Sequence, residues 1–540
     1  MTGNAQAVTS PSILSPLQRP VFFALFWTST VAAIGGWMQD LAGGWLMTSL
    51  MPSPMMVALM QTATYLPYFL LSLPAGALAD VIDRRLQVVG AGLWICLSAL
   101  ALGLLTNYGV MTPWLLLTMI LVVALGQTFQ GPAFNALPPE LVPRRELDSA
   151  IAIGAASFNF ARGLGAALGG YLVFKLGPGW VFIINSACMV CMCVAVFRWK
   201  REPLPREFPA ERWGSAVKAG VRYVQHSVTM RAVLARTAIF VICGSCIWAI
   251  LPLLARKVYG MTSSEYGVAL SIFGVGTMVG ALIMPRLKSS LSLDWLCGVG
   301  TIMYALAMIM LSSTNVYAAG CSALFLAGIG WLIVSAAVNS SLLKASPAWV
   351  RARSVAVYLL VFNGCLAFGS LLWGAIAQAI GMQTALLWGA GGLILGLLAM
   401  LRYSLEAVEK LDMRTSGPWP APAVAVEPHP ERGPVQLTVE YIVEPNDVEA
   451  FLQAISELEL QRRRNGAVQW HLFVDLTRPG VHIESFIVDT WAESLRLRNR
   501  ITNDELALES RVHAFHRGPE PPKLTHLLAE RRRVFSSAAK

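Results

Sequence analysis

The sequence predicts an all-α polytopic membrane protein, with twelve transmembrane helices in two six-helix halves and a small cytoplasmic α+β domain behind them. Three observations predict it. Long apolar runs alternate with short basic turns twelve times between about Val21 and Tyr403. The 540 residues are 55% hydrophobic and only 13% charged, at a mean hydropathy of +0.57. Beyond Lys410 the composition turns polar and rich in proline. Each run is about 18–28 residues, enough at about 1.5 Å per residue to cross a hydrocarbon core of about 30 Å.

Residues 1–20 are a short segment that lacks the basic start and apolar core of a cleavable signal. The first half, 21–198, holds spans at 21–47, 55–79, 86–106, 112–136, 149–175 and 179–198. A connector over 199–232 precedes the second half, 233–404. Its spans are 233–256, 264–285, 293–312, 316–342, 353–378 and 383–404. Basic residues sort to one side: Arg84–Arg85, Arg144–Arg145, Arg286, Lys288, Lys344, Arg351, Arg353 and the connector. The opposite turns carry few charges, apart from Lys175 and the Arg256–Lys257 pair. Positive-inside bias then places both termini and the connector in the cytoplasm. This bias accounts for the net charge of +10, so the expected partner is the lipid bilayer and not nucleic acid. The nine cysteines lie in or at the edges of spans. Cys188, Cys191 and Cys193 have metal-like spacing but no carboxylate or histidine nearby, and read as small packing residues. No metal, cofactor or disulfide framework is expected.

The halves read as a duplication. Asn159, Gly165, Gly170 and Gly177 recur as Asn363, Gly369, Gly374 and Gly381, each at an offset of 204. The preceding basic turns correspond at an offset of 208, Pro139 to Arg145 against Pro347 to Arg353. Paired repeats around a midplane site are the usual architecture of alternating access.

After span 2 the chain reads Gly76-Ala-Leu-Ala-Asp80-Val-Ile-Asp83-Arg84-Arg85. This resembles the loop signature of the major facilitator superfamily, with Val81 replacing a basic residue and Asp83 a glycine. The resemblance implies a latch: Gly76 lets helices approach, and Asp80, Asp83, Arg84 and Arg85 hold the cytoplasmic ends in one conformation. The equivalent Gly280 to Arg286 has Met284 where an acid would sit. In span 5, Gly163, Gly165, Gly169 and Gly170 resemble the exporters' glycine signature, with Ala166 in place of proline. They form a helix-packing motif. Trp37-Met-Gln-Asp40, Asn159-Phe-Ala-Arg162 and Pro138 to Arg145 are similar to the branch that includes enterobactin exporters and secretion-effector permeases. That resemblance covers about residues 16–410 and implies a bacterial inner-membrane transporter.

A charge within a span costs at least about 2.5 kcal/mol on insertion scales. Asp40 and Arg162 are the two that sit clearly inside, so Asp40 is the candidate for proton coupling. Arg162 is a candidate for substrate binding or for the counter-charge of Asp40. Counted along ideal helices, the two differ in depth by roughly 9 Å. Candidate cavity-lining groups are Gln61, Gln127, Gln130, Asn135, Asn159, Asn339 and Asn363, with Trp248, Trp331 and Trp373 as aromatic walls. Polar groups with aromatics suit an amphiphilic cargo, and structural packing is the alternative at each position.

A Pro-rich linker spans 405–434. Residues 435–517 then alternate as strand 435–443, helix 447–464, strands 468–476 and 482–488, helical 490–508 and a final strand near 511–516. That β-α-β-β-α-β order is the ferredoxin-like unit, with 518–540 as a basic tail. His471, His482, His513 and His516 show no ligand pattern, so a dimerisation or regulatory module is expected over a cargo-modifying enzyme.

No Gly-x-x-x-x-Gly-Lys-Ser/Thr motif and no catalytic constellation occurs, so neither an ATP-driven pump nor an enzyme is expected. The expected function is proton-coupled efflux of a small amphiphile, whether siderophore, antibiotic or other xenobiotic. An importer of the same fold, or a membrane-anchored scaffold or sensor acting through the C-terminal domain, are the alternatives.

Overall fold

The computed structural model describes residues 14–200, 213–347, 349–403, 405 and 427–530. Among the described residues fourteen α-helices precede the soluble domain. They are α1 (Pro20–Leu50), α2 (Pro54–Val81), α3 (Arg84–Asn107), α4 (Pro113–Asn135), the one-turn α5 (Pro138–Leu141), α6 (Leu147–Leu176) and α7 (Pro178–Arg198). Then come α8 (Trp213–His226), α9 (Val228–Lys257), α10 (Ser263–Ser290), α11 (Leu293–Ser313), α12 (Tyr317–Lys344), α13 (Arg351–Ile380) and α14 (Met382–Arg402). Eleven of these are long and apolar enough to cross a membrane, and α14, at the twelfth expected position, is apolar over Met382–Leu398. Proline in the first turn starts α1, α2, α4 and α7, where its missing N–H costs nothing. Thr262 and Glu265 start α10 with a reciprocal capping box. Large apolar side chains such as Trp27, Leu97, Trp114, Leu282 and Trp295 point outward, as lipid contact requires. The connector contains α8, a helix the sequence reading did not anticipate.

The chain divides into two compact units. The first is Met1–Ala210, Leu234–Val338 and Tyr358–Arg402, and it holds the membrane helices. Its two halves repeat in space as in sequence. A Cβ on Gly165 would meet Ile34 and Trp37 of α1, and one on Gly369 would meet Ile242 of α9, the equivalent first helix of the second half. Gly170 lies against Ser263 and Gly267 of α10, as Gly374 lies against Met55 of α2. Gly177 and Gly381 take matching positive φ of 87° and 92° where their helices end. Each half thus lends its fifth helix to the other half's second helix.

The second unit is Glu211–Val233, Asn339–Val357 and Tyr403–Lys540. Its sheet has strands β1 (Val435–Ile442), β2 (Gln469–Val474), β3 (Val481–Val488) and β4 (Leu524–Leu528). They pair antiparallel in the order β2-β3-β1-β4, the ferredoxin-like arrangement. Helices α15 (Val448–Asn465), α16 (Trp491–Arg500) and α17 (Asn503–His513) accompany it. Tyr441, Phe451, Ile455, Leu458 and Val512 form one core cluster, and Val435, Leu437, Phe486, Val488 and Trp491 another.

Two expectations are corrected here. The segment 511–516 is not the last strand: Thr502 and Glu505 cap a helix that runs to His513 and buries Leu508 and Val512 at helical spacing. The last strand is β4, so the domain extends into the stretch expected to be a basic tail. Gly76 is the second correction. A Cβ there would meet nothing within 4 Å, so no close helix approach depends on it in this conformation. Most of the Pro-rich linker (404 and 406–426) and the Arg531–Arg533 run lie outside the described residues.

Candidate functional site

A cavity of about 290 Å³ lies among the membrane helices of the first unit. Its walls come from helical stripes. Helix α1 contributes Trp37, Asp40, Leu41 and Gly44, and α2 contributes Val57, Met60, Gln61, Thr64 and Tyr65. Helix α6 contributes Phe158, Arg162 and Ala166, at four-residue steps that keep all three on one face. From the second half come Trp248, Pro252, Tyr266, Phe273, Trp331 and Phe362. Both halves therefore line one cavity.

Arg162 is held in place by neutral groups. Its Nη2 donates to Asn159 Oδ1 at 3.1 Å and to Thr277 Oγ1 at 2.7 Å. The guanidinium lies 6.0 Å from the Trp37 ring and 5.6 Å from Phe273, two cation–π contacts. Its Nε is buried with no hydrogen-bond partner. Asp40 is exposed on the cavity wall, and among the described residues it has no hydrogen bond or ion pair. The two charges are not paired with each other within 4.0 Å.

The seam between α1 and α6 explains why. Gly165 sits beside Ile34 and Trp37 and Gly169 beside Met38, so the helices run parallel. That register puts the Cα of Asp40 about 11 Å further along the axis than that of Arg162. The Trp37 ring lines the cavity with both. On the second-half wall of the cavity, Trp248 packs edge-on to Phe273 at 5.0 Å and to Trp331 at 6.1 Å, and Trp331 meets Phe362 at 6.2 Å.

The halves close over the cavity on the side of the α1–α2 turn. Arg256 Nη1 donates to Thr48 Oγ1 at 3.0 Å and to Ser49 Oγ at 2.5 Å, with its guanidinium 5.4 Å from the Trp45 ring. Lys257 Nζ donates to the Pro52 carbonyl, Ser53 to Gln378, and Trp45 stacks on Tyr266 at 5.6 Å. The basic pair that looked out of place in the sequence is thus a clamp between halves.

Of the candidate lining residues, the cavity gathers Asp40, Arg162, Gln61, Trp248 and Trp331. Asn159 stands behind Arg162 and also donates to the Ala155 carbonyl. Gln127, Gln130, Asn135, Asn339, Asn363 and Trp373 are not among its walls. Gln130 faces Met189, Asn363 donates to Leu359, and Trp373 donates to the Ile242 carbonyl. In these three a partner on the same or an adjacent helix already uses the polar group. Sequence reasoning missed Trp37, Tyr65, Phe158, Tyr266, Phe273 and Phe362 as walls. The signal was there: stripes at three- and four-residue spacing running through Asp40 and Arg162.

The loop motif after α2 has partners within the first half. Asp83 accepts from the Arg85 backbone N–H and caps α3, and Arg84 bonds Glu140 at 3.0 Å. Arg85 donates to the Phe197 carbonyl and lies 5.2 Å from that ring. The side chain of Asp80 lies outside the described residues. Among the described residues no three His, Cys, Asp or Glu side chains come together as metal ligands would.

Two repeated six-helix halves around one charged, aromatic cavity define a membrane transporter of the major facilitator class. A family model for the transmembrane secretion effector matches residues 11–534, and the chain belongs to that family. It is similar to the staphyloferrin A transporter of Staphylococcus aureus, 18% identical over 288 residues, 53% of this chain and 72% of that one. It is also similar to macrolide efflux protein A of Streptococcus pyogenes, 21% identical over 272 residues, 49% of this chain and 65% of that protein, just under two thirds of its length. The fold is similar to that of a bacterial homolog to the human lysosomal transporter Spinster, whose structure was solved in an inward-facing and unoccupied conformation. There the TM-score is 0.56 at 16% identity, over 72% of this chain and 96% of that one. The nucleoside transporter NupG gives a TM-score of 0.59 at 11% identity, over 73% and 100%.

Proposed function

We propose that this protein exports a small amphiphilic molecule across the bacterial inner membrane in exchange for protons, by alternating access. The observation that carries this reading is Asp40, an unpaired carboxyl on the wall of a cavity that both halves share. A carboxyl kept at this depth is expensive, and a proton site is a use that repays the cost. Tyr65, Tyr266 and Arg162 line the cavity with it, and Tyr68 lies within its electrostatic reach. Protonation there changes the charge that cargo meets, which is the coupling an exchanger needs.

Export rather than uptake is supported by the resemblance to a named efflux protein and by the glycine seam of α6. Positive-inside bias puts the α1–α2 turn outside and both termini in the cytoplasm. The clamp at Arg256 and Lys257 then closes the outer side, which is the inward-facing arm of the cycle. The soluble domain we read as a regulatory or self-associating module, and the loop at Asp80 to Arg85 as part of the cytoplasmic latch.

The test is accumulation of ethidium and of a labelled catecholate siderophore in cells expressing wild type or Asp40→Asn, with and without a protonophore. Wild type lowers accumulation of one compound severalfold, and both the protonophore and the substitution abolish the effect. Raised accumulation would identify an importer, and export indifferent to Asp40→Asn would remove Asp40 from the coupling path.

A further inference from the structure

We infer that the cargo is a zwitterionic amphiphile, whose anionic group docks on Arg162 and whose cationic group meets Asp40, with an aromatic or apolar body between them. This deepens the transport reading and rests on the cavity being the transport site. Each pole of the cavity is charged and uncompensated. Arg162 spends Nη2 on two neutral acceptors, and its Nε is buried without any acceptor. Among the described residues Nη2 is the only guanidinium nitrogen with an acceptor, so on the cavity side the group keeps donor capacity for a carboxylate-like oxygen. Asp40 carries the opposite charge and has no partner among the described residues.

The fold keeps the two poles apart. The α1–α6 register sets their Cα atoms about 11 Å apart along the axis, and Trp37 lines the cavity with them. A neutral cargo would leave both charges unmet in a medium of low dielectric, and a singly charged cargo would leave one. A molecule with both charges, held apart by a flat apolar core, meets both at once. The core has its surface: Trp248, Trp331 and Phe362 form a continuous aromatic wall from the second half. The cavity volume of about 290 Å³ suits a compact drug-sized molecule. The arrangement also gives exchange its sign. A proton on Asp40 removes the charge that holds the cargo's cation, so proton and cation compete at one residue, while Arg162 sets the orientation.

The test uses the full chain in lipid nanodiscs and norfloxacin, whose aromatic core separates a piperazine amine from a carboxylate. Its ethyl ester keeps only the cation, and its N-acetyl derivative keeps only the anion. Binding is read from the intrinsic fluorescence of the three compounds. Norfloxacin binds about tenfold tighter than either derivative, as one close charge pair supplies. Arg162→Gln brings norfloxacin to the affinity of the ester without changing the ester, and Arg162→Lys recovers part of the difference. Asp40→Asn brings norfloxacin to the affinity of the N-acetyl derivative. Equal binding of the three, tighter binding of either derivative, or no binding of any overturns the assignment. Zwitterion-selective binding in a protein that fails to export would refute the transport reading and leave only the assignment of the cavity's ligand class standing. Proton-dependent export of ethidium with charge-blind norfloxacin binding would do the reverse.

Discussion

Polar side chains inside the membrane fall into two kinds, those that are spent on a partner and those that are not. Asn185 Nδ2 donates to Gln39 Oε1 at 2.7 Å, with both residues 1% exposed in the α1–α7 seam. Arg236 and Asp294 bond at 2.5 Å between α9 and α11, with the arginine side chain 3% exposed. Asp40 and Arg162 differ because they face the cavity with bonding capacity left over. Asn185→Leu should leave the Gln39 carbonyl without its donor and destabilise the protein by about 1–2 kcal/mol. Adding Gln39→Leu should recover part of that loss, since two apolar groups replace the pair. Thermal unfolding in detergent checks both, and a double variant worse than the single one would show that the pair contributes little. Asp40 and Arg162 were legible in the sequence because a lone charge deep in an apolar run has few innocent explanations. The Arg236–Asp294 pair was not, because each sits near a span end and 58 residues separate them. The aromatic walls were harder still. Tryptophan and phenylalanine face lipid, core and cavity alike, and only the helix register through a charged neighbour tells these apart.

At the scale of helices, glycine decides how the halves meet. A Cβ on Gly170 would lie 2.5 Å from the Ser263 carbonyl oxygen and 2.8 Å from the Gly267 Cα, closer than real contacts allow. The α6–α10 crossing is therefore backbone against backbone, and it belongs to the side that Arg256 clamps. Gly170→Val should wedge that crossing open and shift the population toward the opposite conformation. A cysteine at Gln61, in a background lacking the nine native ones, would report this as faster labelling by an impermeant maleimide from outside the cell. Unchanged labelling would mean that the seam tolerates the extra carbons and does not set the equilibrium. Helix positions and their twofold repeat were readable, since the 3.6-residue period and the offset of 204 both survive in one sequence. The end of the soluble domain was not. Strand β4 is five residues long and follows Pro521–Pro522, too short for alternation to speak, whereas the preceding helix depends on a cap at Thr502. The connector helix α8 was missed for a similar reason: its fourteen residues gain stability only from what they pack against.

On the scale of the whole chain, the second unit joins segments that are far apart in sequence. Helix α8 packs on α15 of the soluble domain, where Arg222 donates to the Gly466 carbonyl at 2.7 Å. Tyr223 donates to the Ala345 carbonyl at 2.5 Å, and its ring meets Trp349 edge-on at 5.9 Å. Arg464 lies 5.7 Å from the Tyr223 ring, and Arg500 lies 4.2 Å from Trp349. The domain is thus tied to the turn between α12 and α13 as well as to its own linker. Trp349 is the centre of this junction, because it is touched by both the connector helix and the domain. Arg500 also donates to the Asn465 carbonyl at 2.7 Å and to Glu493, so it stays anchored when its aromatic partner is lost. Trp349→Ala should therefore loosen the junction while the domain remains folded. A cation–π contact on an arginine side chain that is 5% exposed contributes about 2 kcal/mol. Losing it should cost α8 and the turn before α13 on the order of thirtyfold in amide exchange protection. The measurement is hydrogen exchange by mass spectrometry on the full chain in nanodiscs, with the β1–β3 peptides as the internal reference. Loss of protection in the strands as well would mean that the domain's own stability depends on this contact. Protection unchanged at α8 would mean that Tyr223 and Arg222 hold the junction without Trp349.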